Sequence, residues 1–411
     1  MSWKLNGAGT DDAPRARSVI LLVGDGMGQA HRLAGQLASV GLHGRLAMDR
    51  LPIFGLMTTA CADPATFVTD SAAAATALAT GLTTVNGAVA TGADGAPSPT
   101  LLELAKRAGK ATGLVTTCQI TDATPAAFAA HVPHRRDQSE IARQYLEETG
   151  VDILLGGGED WWYPAGDPGH FPDDPDPEGR ERSRGTAGNL VARARALGYD
   201  HVTTAAELRT AVGPKVLGLF ANEEMFRQAP EGERDGYDPP VSLAELTAAA
   251  IGILSRNPNG FFLLVEEAAI DRMAHRNNAR LTLRGVLELD RAVQVARRYA
   301  AANPDTLLVV TADHETGGLA ITGSADPAYP YEPGAGAEGA EEAAVAGEDG
   351  PFPVAGTEMS FAMGWATTGH TAAAVPVTAL GPGADRLAGT YDNTRLFDAT
   401  VAALGLAVPV G

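Results

Sequence analysis

The stretch SVILLVGDGMG, residues 18–28, decides the fold of this 411-residue chain. It opens with a continuous run of β-branched and leucine side chains, which is typical of a strand covered on both faces. The run ends at an aspartate between glycines, and glycine lets the backbone turn sharply or approach a ligand closely. Similar apolar runs follow at 111–118, 151–155, 216–220, 261–266, 306–311 and 375–380.

Helical patterns separate these runs. They cover residues 101–109, 137–149, 242–256 and 279–301. Alternating strands and helices predict an α/β fold with a large, mostly parallel central sheet between helices. Ligands of such sheets bind outside the carboxyl ends of the strands, so the polar residues that follow each strand are candidates for a site.

Composition and charge exclude several classes of protein. Hydrophobic residues make up 45% of the chain and charged residues 20%, as in soluble globular proteins. The net charge of -19 repels a phosphate backbone, so nucleic-acid wrapping is not expected. No apolar run approaches the roughly 18 residues that a membrane-spanning helix needs. Residues 1–18 lack the apolar core of a signal peptide, which leaves a cytoplasmic protein or one whose signal was removed.

Residues 1–411 are expected to form one domain. The segments 159–187 and 323–358 are rich in proline, glycine and acidic residues, which predicts two solvated surface insertions. Cys61 and Cys118 each end a short apolar run and are expected to be buried free thiols, because two cysteines do not make a disulfide framework.

Acidic and histidine side chains follow the strands at 18–23, 261–266 and 306–311, and one more histidine lies in a later loop. They are Asp25, Glu266, Asp271, His275, Asp313, His314 and His370. Taken singly, each has an ordinary explanation as a turn residue, a helix cap or a histidine that makes its hydrogen bonds within the protein. Together they are too many for one ion, so two or three metal ions are expected. Paired metals about 4 Å apart suit an in-line displacement at phosphorus.

A candidate nucleophile lies in residues 67–81, FVTDSAAAATALATG. The pattern predicts a helix capped by Asp70 or Ser71 and ended by Gly81. An ordinary capped helix is one interpretation. The other places the Ser71 hydroxyl where free N–H groups favour an anion such as phosphate. No Gly-x-Ser-x-Gly motif is present, so an α/β-hydrolase is not expected, and a metal rather than a neighbouring histidine would activate the serine.

Residues 121–136 offer further ligands. Asp122 and Thr124 present hard oxygen atoms before a helix that Pro125 begins. Arg135 or Arg136 could clamp a phosphate through two hydrogen bonds, although such a pair is also common on solvated surfaces.

In this combination the chain resembles bacterial alkaline phosphatases. Six blocks carry the resemblance, in the family's order from residue 18 to about 383: VGDGMG (23–28), TDSAA (69–73), DATP (122–125), 266–275, TADH (311–314) and TGHT (368–371). The resemblance implies hydrolysis of phosphate monoesters at alkaline pH through a phosphoserine on Ser71, with Arg135 rather than Arg136 holding the phosphate. It also implies a homodimer and a periplasmic or secreted location.

The resemblance further implies two Zn²⁺ ions and one Mg²⁺ ion. One zinc would be held by Asp271, His275 and His370. The other would be held by Asp25, Asp313 and His314, with Asp25 also bridging to magnesium. The magnesium would be held by Thr124 and Glu266, and by Asp122 through waters. Two positions depart from the family. Arg272 stands where members often carry Lys, His or Trp, and Glu267 where a small Gly is common.

Other functions on the same scaffold remain open at this point: a phosphodiesterase, a phosphonate monoester hydrolase, a sulfatase or a metal-dependent mutase. Neither Cys61 nor Ser71 has the Cys/Ser-x-Pro-x-Arg context of a sulfatase, and Thr124, Glu266 and Arg135 favour monoesters. The alternative outside enzymes is a non-catalytic protein that binds metal or phosphate.

Overall fold

The structure is a computed structural model that describes residues 15–171, 182–227, 235–323 and 349–408. Its strands are β1 (Ser18–Gly24), β2 (Ile53–Thr58), β3 (Ala111–Gln119), β4 (Ile153–Gly157), β5 (Asp200–Val202), β6 (Val216–Leu219), β7 (Phe261–Glu267), β8 (Thr306–Thr311), β9 (Glu315–Thr316), β10 (Ala320–Gly323), β11 (Asp349–Pro353), β12 (Ser360–Gly364), β13 (His370–Thr371), β14 (Val375–Leu380) and β15 (Gly389–Asp392).

Helices alternate with most of these strands. They are α1 (Gln29–Val40), α2 (Ser71–Thr80), α3 (Leu101–Arg107), α4 (Ala123–Ala129), α5 (Gln138–Glu147), α6 (Leu190–Ala196), α7 (Ala205–Thr210), α8 (Leu243–Leu254), α9 (Ala269–Ala274), α10 (Ala279–Ala302) and α11 (Arg395–Leu404), with short 3-10 turns at Met48–Arg50, Glu159–Trp161 and Ala384–Leu387. The four helices expected from the periodicity and the helix that begins at Ser71 are confirmed, with ends displaced by at most two residues.

Ten strands form one sheet in the order β15-β2-β14-β8-β1-β7-β3-β4-β6-β5. All neighbouring pairs are parallel except those of β14, which runs antiparallel to β8 and β2. The predicted α/β class with a mostly parallel sheet is therefore confirmed. All seven predicted strands are present, whereas the edge strands β5 and β15 and the strand β2 beside β15 were not predicted.

The centre of the sheet is the core of the molecule. Residues 19–23 of β1 and 261–265 of β7 are at most 1% exposed, because helices cover both faces. On one side α8 and α10 pack together against β7, and α3 and α4 pack together and also contact it. The Phe128 ring of α4 stacks on Phe262 of β7, with ring centroids 5.8 Å apart.

The surface location expected for residues 159–187 is wrong for the start of that segment. Glu159, Asp160 and Trp162 are at most 1% exposed, and Trp162 belongs to the main core. The polar composition is misleading here because the buried acids have partners: Glu159 accepts from His170 N and Phe171 N, and Arg184 forms an ion pair with Asp160 at 3.9 Å. Residues 172–181 lie outside the described part of the chain.

The second segment expected to be an insertion, 323–358, is described only at its two ends, because residues 324–348 lie outside the described ranges. From 349 onward it forms β11, which joins β12 and β10 in a small antiparallel sheet. Of the two cysteines, Cys118 is buried as expected, but Cys61 is only partly buried, in the loop before Ser71, so that expectation was wrong. Among the described helices, none is long and apolar enough to cross a membrane.

Candidate active site

The polar residues of the site converge because their strands are neighbours. β8, β1, β7 and β3 lie side by side and run parallel, so their carboxyl ends share one edge. Val23 of β1 is level with Glu266 of β7 and with Thr311 of β8. The residues just beyond these positions, including Asp25 and Asp313, therefore meet at this edge.

Asp25, Asp313 and His314 form the first cluster of potential metal ligands. The His314 Nε2 atom lies 3.1 Å from Asp313 Oδ2 and 3.4 Å from Asp25 Oδ1, and all three side chains are at most 4% exposed. Burial and the neighbouring carboxylates, Asp313 first, raise the pKa of Asp25 well above its usual range. Within the part of the chain that the structure describes, neither Asp25 Oδ1 nor Asp313 Oδ2 accepts a hydrogen bond, so both oxygens are available to ligate a cation.

The second cluster consists of Asp271, His275 and His370. Asp271 Oδ1 lies 3.3 Å from His275 Nε2 and 3.5 Å from His370 Nε2, and the two Nε2 atoms are 3.1 Å apart. The Nδ1 atom of each histidine faces a backbone carbonyl oxygen, that of Thr368 at 2.5 Å and that of Thr69 at 2.8 Å. A carbonyl can only accept, so Nδ1 carries the hydrogen and the Nε2 lone pairs point into the cluster, as in histidine metal sites.

A third group of oxygens surrounds Glu266 on β7. Thr116 Oγ1 donates to Glu266 Oε2 over 2.6 Å, and burial raises the pKa of Glu266 to about 8. Thr124 Oγ1 is buried and lies close to the Glu266 carboxylate. A carboxylate and a hydroxyl in one buried place are the hard oxygen donors that Mg²⁺ prefers.

Ser71 is the first residue of α2, and Asp70, not Ser71, is the N-cap, because its side chain accepts from Ala73 N. The alanine-rich helix is buried on all sides, since its small side chains let neighbouring elements approach closely. The Ser71 hydroxyl lies 3.2 Å from His314 Nε2 and is 3% exposed. The nucleophile candidate therefore adjoins the first ligand cluster.

Two carboxylates hold Arg135 in the cleft that Ser71 also lines. Its guanidinium donates to Asp122 Oδ1 at 2.9 Å and to Asp70 Oδ2 at 3.4 Å. Arg272 donates to the other Asp122 oxygen at 2.7 Å. Burial opposes ionisation of Asp122, but the two arginines hold its pKa well below its usual range. The Asp122 carboxylate thus fixes both guanidinium groups at the site.

Several positioning residues were not found from the sequence. Asn86 Oδ1 accepts from Asp70 N at 2.8 Å and its amide donates to Val68 O, which fixes the loop before Ser71. Thr116 near Glu266 was also missed. Asparagine and threonine are common in ordinary loops and strands, and only long-range contacts reveal these roles.

Glu315 is a further residue of this kind. It is 5% exposed and accepts from Gly318 N, Leu319 N and the Thr371 hydroxyl. These bonds join β9 to β13, whose first residue is His370. Glu315 therefore supports one ligand of the second cluster.

We expect Glu315→Ala to lower the free energy of unfolding by about 2–4 kcal/mol, because it leaves buried donors unpaired. It should also weaken metal retention, since His370 loses its support. Urea unfolding and metal analysis of the dialysed protein measure the two effects. Thr371→Val, which removes only one of the donors, is the matched control and should show a smaller loss. Equal behaviour of Glu315→Ala and the wild type would contradict this role.

The site opens into one cleft of about 460 Å³. Its lining includes Ser71, Asp122, Arg135, Arg272, His275 and His370. The structure combines a mostly parallel sheet, two His/Asp clusters next to a buried serine, and an arginine held by two carboxylates. This combination defines an α/β metallohydrolase. The chain belongs to the alkaline phosphatase family, because that family's model, alkaline phosphatase, matches residues 16–406.

Individual relatives cover the chain almost completely. Streptomycin-6-phosphate phosphatase of Streptomyces griseus is 39% identical over 436 residues, which cover 95% of this chain and 91% of that protein. Alkaline phosphatase 4 of Bacillus subtilis is 31% identical and covers 93% and 87% respectively. A solved structure of TAB5 alkaline phosphatase, a histidine-to-aspartate mutant with magnesium in its M3 site, superimposes with a TM-score of 0.75 at 27% identity, over 96% of this chain and 99% of that one. The expected family and its phosphomonoesterase class are confirmed, and the chain has two candidate metal sites, as expected for a metalloenzyme family.

Proposed function

We propose that this chain hydrolyses phosphate monoesters at alkaline pH through a phosphoserine intermediate on Ser71. One observation carries the proposal: the Ser71 hydroxyl lies at the N-terminus of α2, beside His314, in the same cleft as Arg135. Free N–H groups at a helix N-terminus and a fixed guanidinium together favour a phosphate dianion next to that hydroxyl.

The ligands fit two Zn²⁺ ions and one Mg²⁺ ion. Mixed histidine and aspartate sets suit zinc, and they are Asp25, Asp313 and His314 in one cluster and Asp271, His275 and His370 in the other. The all-oxygen group of Glu266 and Thr124 suits magnesium. Asp122 would reach magnesium only through waters, because both of its oxygens accept from arginines. When bound, these ions would lower the pKa of the serine hydroxyl and neutralise charge that develops on the leaving oxygen.

Ser71 and Arg135 would then have separate roles in the reaction. Ser71 Oγ gives its proton to solvent and attacks phosphorus as the bond from phosphorus to the alcohol oxygen breaks, and the alcohol leaves with a proton from water. Arg135 holds two non-bridging oxygens throughout, and Asp70 and Asp122 keep its guanidinium in place. Water then hydrolyses the phosphoserine, which releases inorganic phosphate and restores Ser71.

Hydrolysis of p-nitrophenyl phosphate at alkaline pH tests the proposal. Activity should disappear with EDTA and return when zinc and magnesium are restored. Bis-p-nitrophenyl phosphate is the comparison substrate, since a diesterase would prefer it. Faster hydrolysis of the diester, or activity that EDTA leaves intact, would overturn the proposal. No hydrolysis by the metal-loaded protein would favour a non-catalytic metal- or phosphate-binding protein.

Arg135→Ala should raise the inhibition constant of inorganic phosphate by about 10- to 100-fold, because it removes charged hydrogen bonds. The substrate KM should rise in parallel, and kcat should fall as well if the clamp tightens in the transition state. Competitive inhibition by phosphate measures the first effect. Arg107→Ala, which removes an exposed arginine of α3 outside the cleft, is the control. Unchanged phosphate inhibition in Arg135→Ala would remove Arg135 from the proposed mechanism.

We also infer from the family resemblance that the protein is a homodimer and acts in the periplasm or after secretion. Light scattering coupled to size exclusion tests the first inference, and cell fractionation against a cytoplasmic marker enzyme tests the second. A monomer, or activity that stays with the cytoplasmic marker, would overturn the corresponding inference.

A further inference from the structure

The carboxylates that line the cleft already have partners. Asp70 accepts from Ala73 N, Gly87 N and Arg135, and Asp122 accepts from Arg135 and Arg272. Asp271 accepts from the Thr316 hydroxyl and belongs to the second ligand cluster. The acidic groups of the cleft are therefore occupied by groups of the protein itself.

Three other residues of the lining present donors, and we call them the donor rim: His134, Arg136 and Gln138. Within the described residues, the exposed Arg136 guanidinium makes no ion pair or hydrogen bond. Gln138 accepts from the Thr121 hydroxyl through Oε1 at 2.7 Å, which leaves its amide N–H groups for another partner.

His134 completes the rim as a donor. Its Nδ1 atom accepts from Arg136 N at 3.2 Å, so a neutral ring carries its hydrogen on Nε2. A Cβ on Gly87 would lie 3.1 Å from this Nε2 atom, so the glycine leaves room for the ring to pack closely. The rim thus combines a guanidinium, an amide and an imidazole, each of which carries N–H groups.

The donor rim lines the same cleft as Ser71, and the alcohol part of a substrate must be bound in that cleft. An in-line attack by Ser71 puts the leaving oxygen on the opposite side of phosphorus. The cleft of about 460 Å³ falls within the usual range for drug-sized ligands, which is more than a phosphoryl group needs. Part of the alcohol therefore remains inside the cleft with Arg136 and Gln138.

We propose that the donor rim binds an oxyanion, a carboxylate or a second phosphate, on the alcohol part of the substrate. This inference rests on the proposed phosphomonoesterase function and names the class of ester that it prefers. Cationic esters are disfavoured, because a free guanidinium repels them and the cleft carboxylates are occupied. Streptomycin 6-phosphate, for which one relative is named, is therefore included among the comparison substrates.

The test compares three monoesters: 3-phosphoglycerate with a carboxylate, glycerol 2-phosphate with neutral hydroxyls and phosphocholine with a quaternary ammonium. The wild type should show kcat/KM for 3-phosphoglycerate about 10-fold above that for phosphocholine. Arg136→Gln should lower the ratio of 3-phosphoglycerate to glycerol 2-phosphate by about 5-fold. The exposed-surface control Arg107→Gln should leave both ratios unchanged.

Equal kcat/KM values for the three esters, or a ratio that Arg136→Gln does not change, would overturn the inference and leave the proposed function intact. A preference for phosphocholine or streptomycin 6-phosphate would also overturn it. If none of the esters is hydrolysed, the proposed function fails. Titration calorimetry then still tests whether the donor rim binds an oxyanion. Phosphonoacetate should bind to the wild type more tightly than methylphosphonate, and Arg136→Gln should reduce that difference in affinity.

Discussion

Ser71→Ala is expected to lower kcat for p-nitrophenyl phosphate by about 1,000-fold or more, because the variant cannot form the phosphoserine. The hydroxyl is 3.2 Å from His314 Nε2, and no other atom of residue 71 can replace it as a nucleophile. The helix should survive the change. Asp70 remains its N-cap, and alanine is the best helix former.

Two measurements separate loss of the nucleophile from loss of the fold. The steady-state kcat gives the size of the effect, and mass spectrometry after an acid quench should find a phosphoryl group on the Ser71 peptide of the wild type only. Ser39→Ala is the control, since the Ser39 hydroxyl donates to Gly35 O within α1 and does not line the cleft of the described structure. Metal-dependent turnover that survives in Ser71→Ala would indicate direct attack of water on phosphorus, and the phosphoserine step would be wrong.

The sequence predicts the central strands well and the edges of the sheet poorly. β1, β7 and β8 are buried along their whole length, so their sequences are unbroken apolar runs. β2 lies near the edge, where a mixture of buried and exposed positions, with Phe54 57% exposed, hides the strand pattern. The antiparallel direction of β14 cannot be read locally, because it depends on pairing with β8 and β2.

The candidate site shows the same division. The ligand candidates follow strands that the sequence identifies, so their meeting at one sheet edge was predictable. The groups that position them are not part of any motif. The Thr69 carbonyl that accepts from His370 and the Asn86 side chain that fixes Asp70 act through contacts between distant segments. Arg136 and Gln138 likewise gain significance only when the cleft is known.

Asp313→Asn is the second change with a large expected effect, because it removes one ligand oxygen with almost no change of shape. Asp313 Oδ1 accepts from Gly26 N at 3.1 Å and from His314 N at 2.9 Å, and an asparagine oxygen can retain both bonds. Oδ2, for which the described residues offer no hydrogen-bond partner, becomes an amide nitrogen that cannot ligate a cation.

We expect Asp313→Asn to lose metal from the first cluster and to lower kcat by about 100-fold or more, since even changes behind the ligands of a metal site cost 10- to 100-fold. The rise in Tm on adding zinc is a measurement that does not depend on activity. This rise should be smaller in Asp313→Asn than in the wild type, because zinc stabilises the folded protein only to the extent that it binds to it. Asp290→Asn is the matched control: Asp290 is a buried aspartate whose Oδ1 accepts from Met48 N, outside both clusters. Wild-type metal content and the full Tm increment in Asp313→Asn would show that this carboxylate is not a ligand. The first cluster would then have to hold its cation through Asp25 and His314 alone, which is one ligand fewer than the three that catalytic zinc sites use.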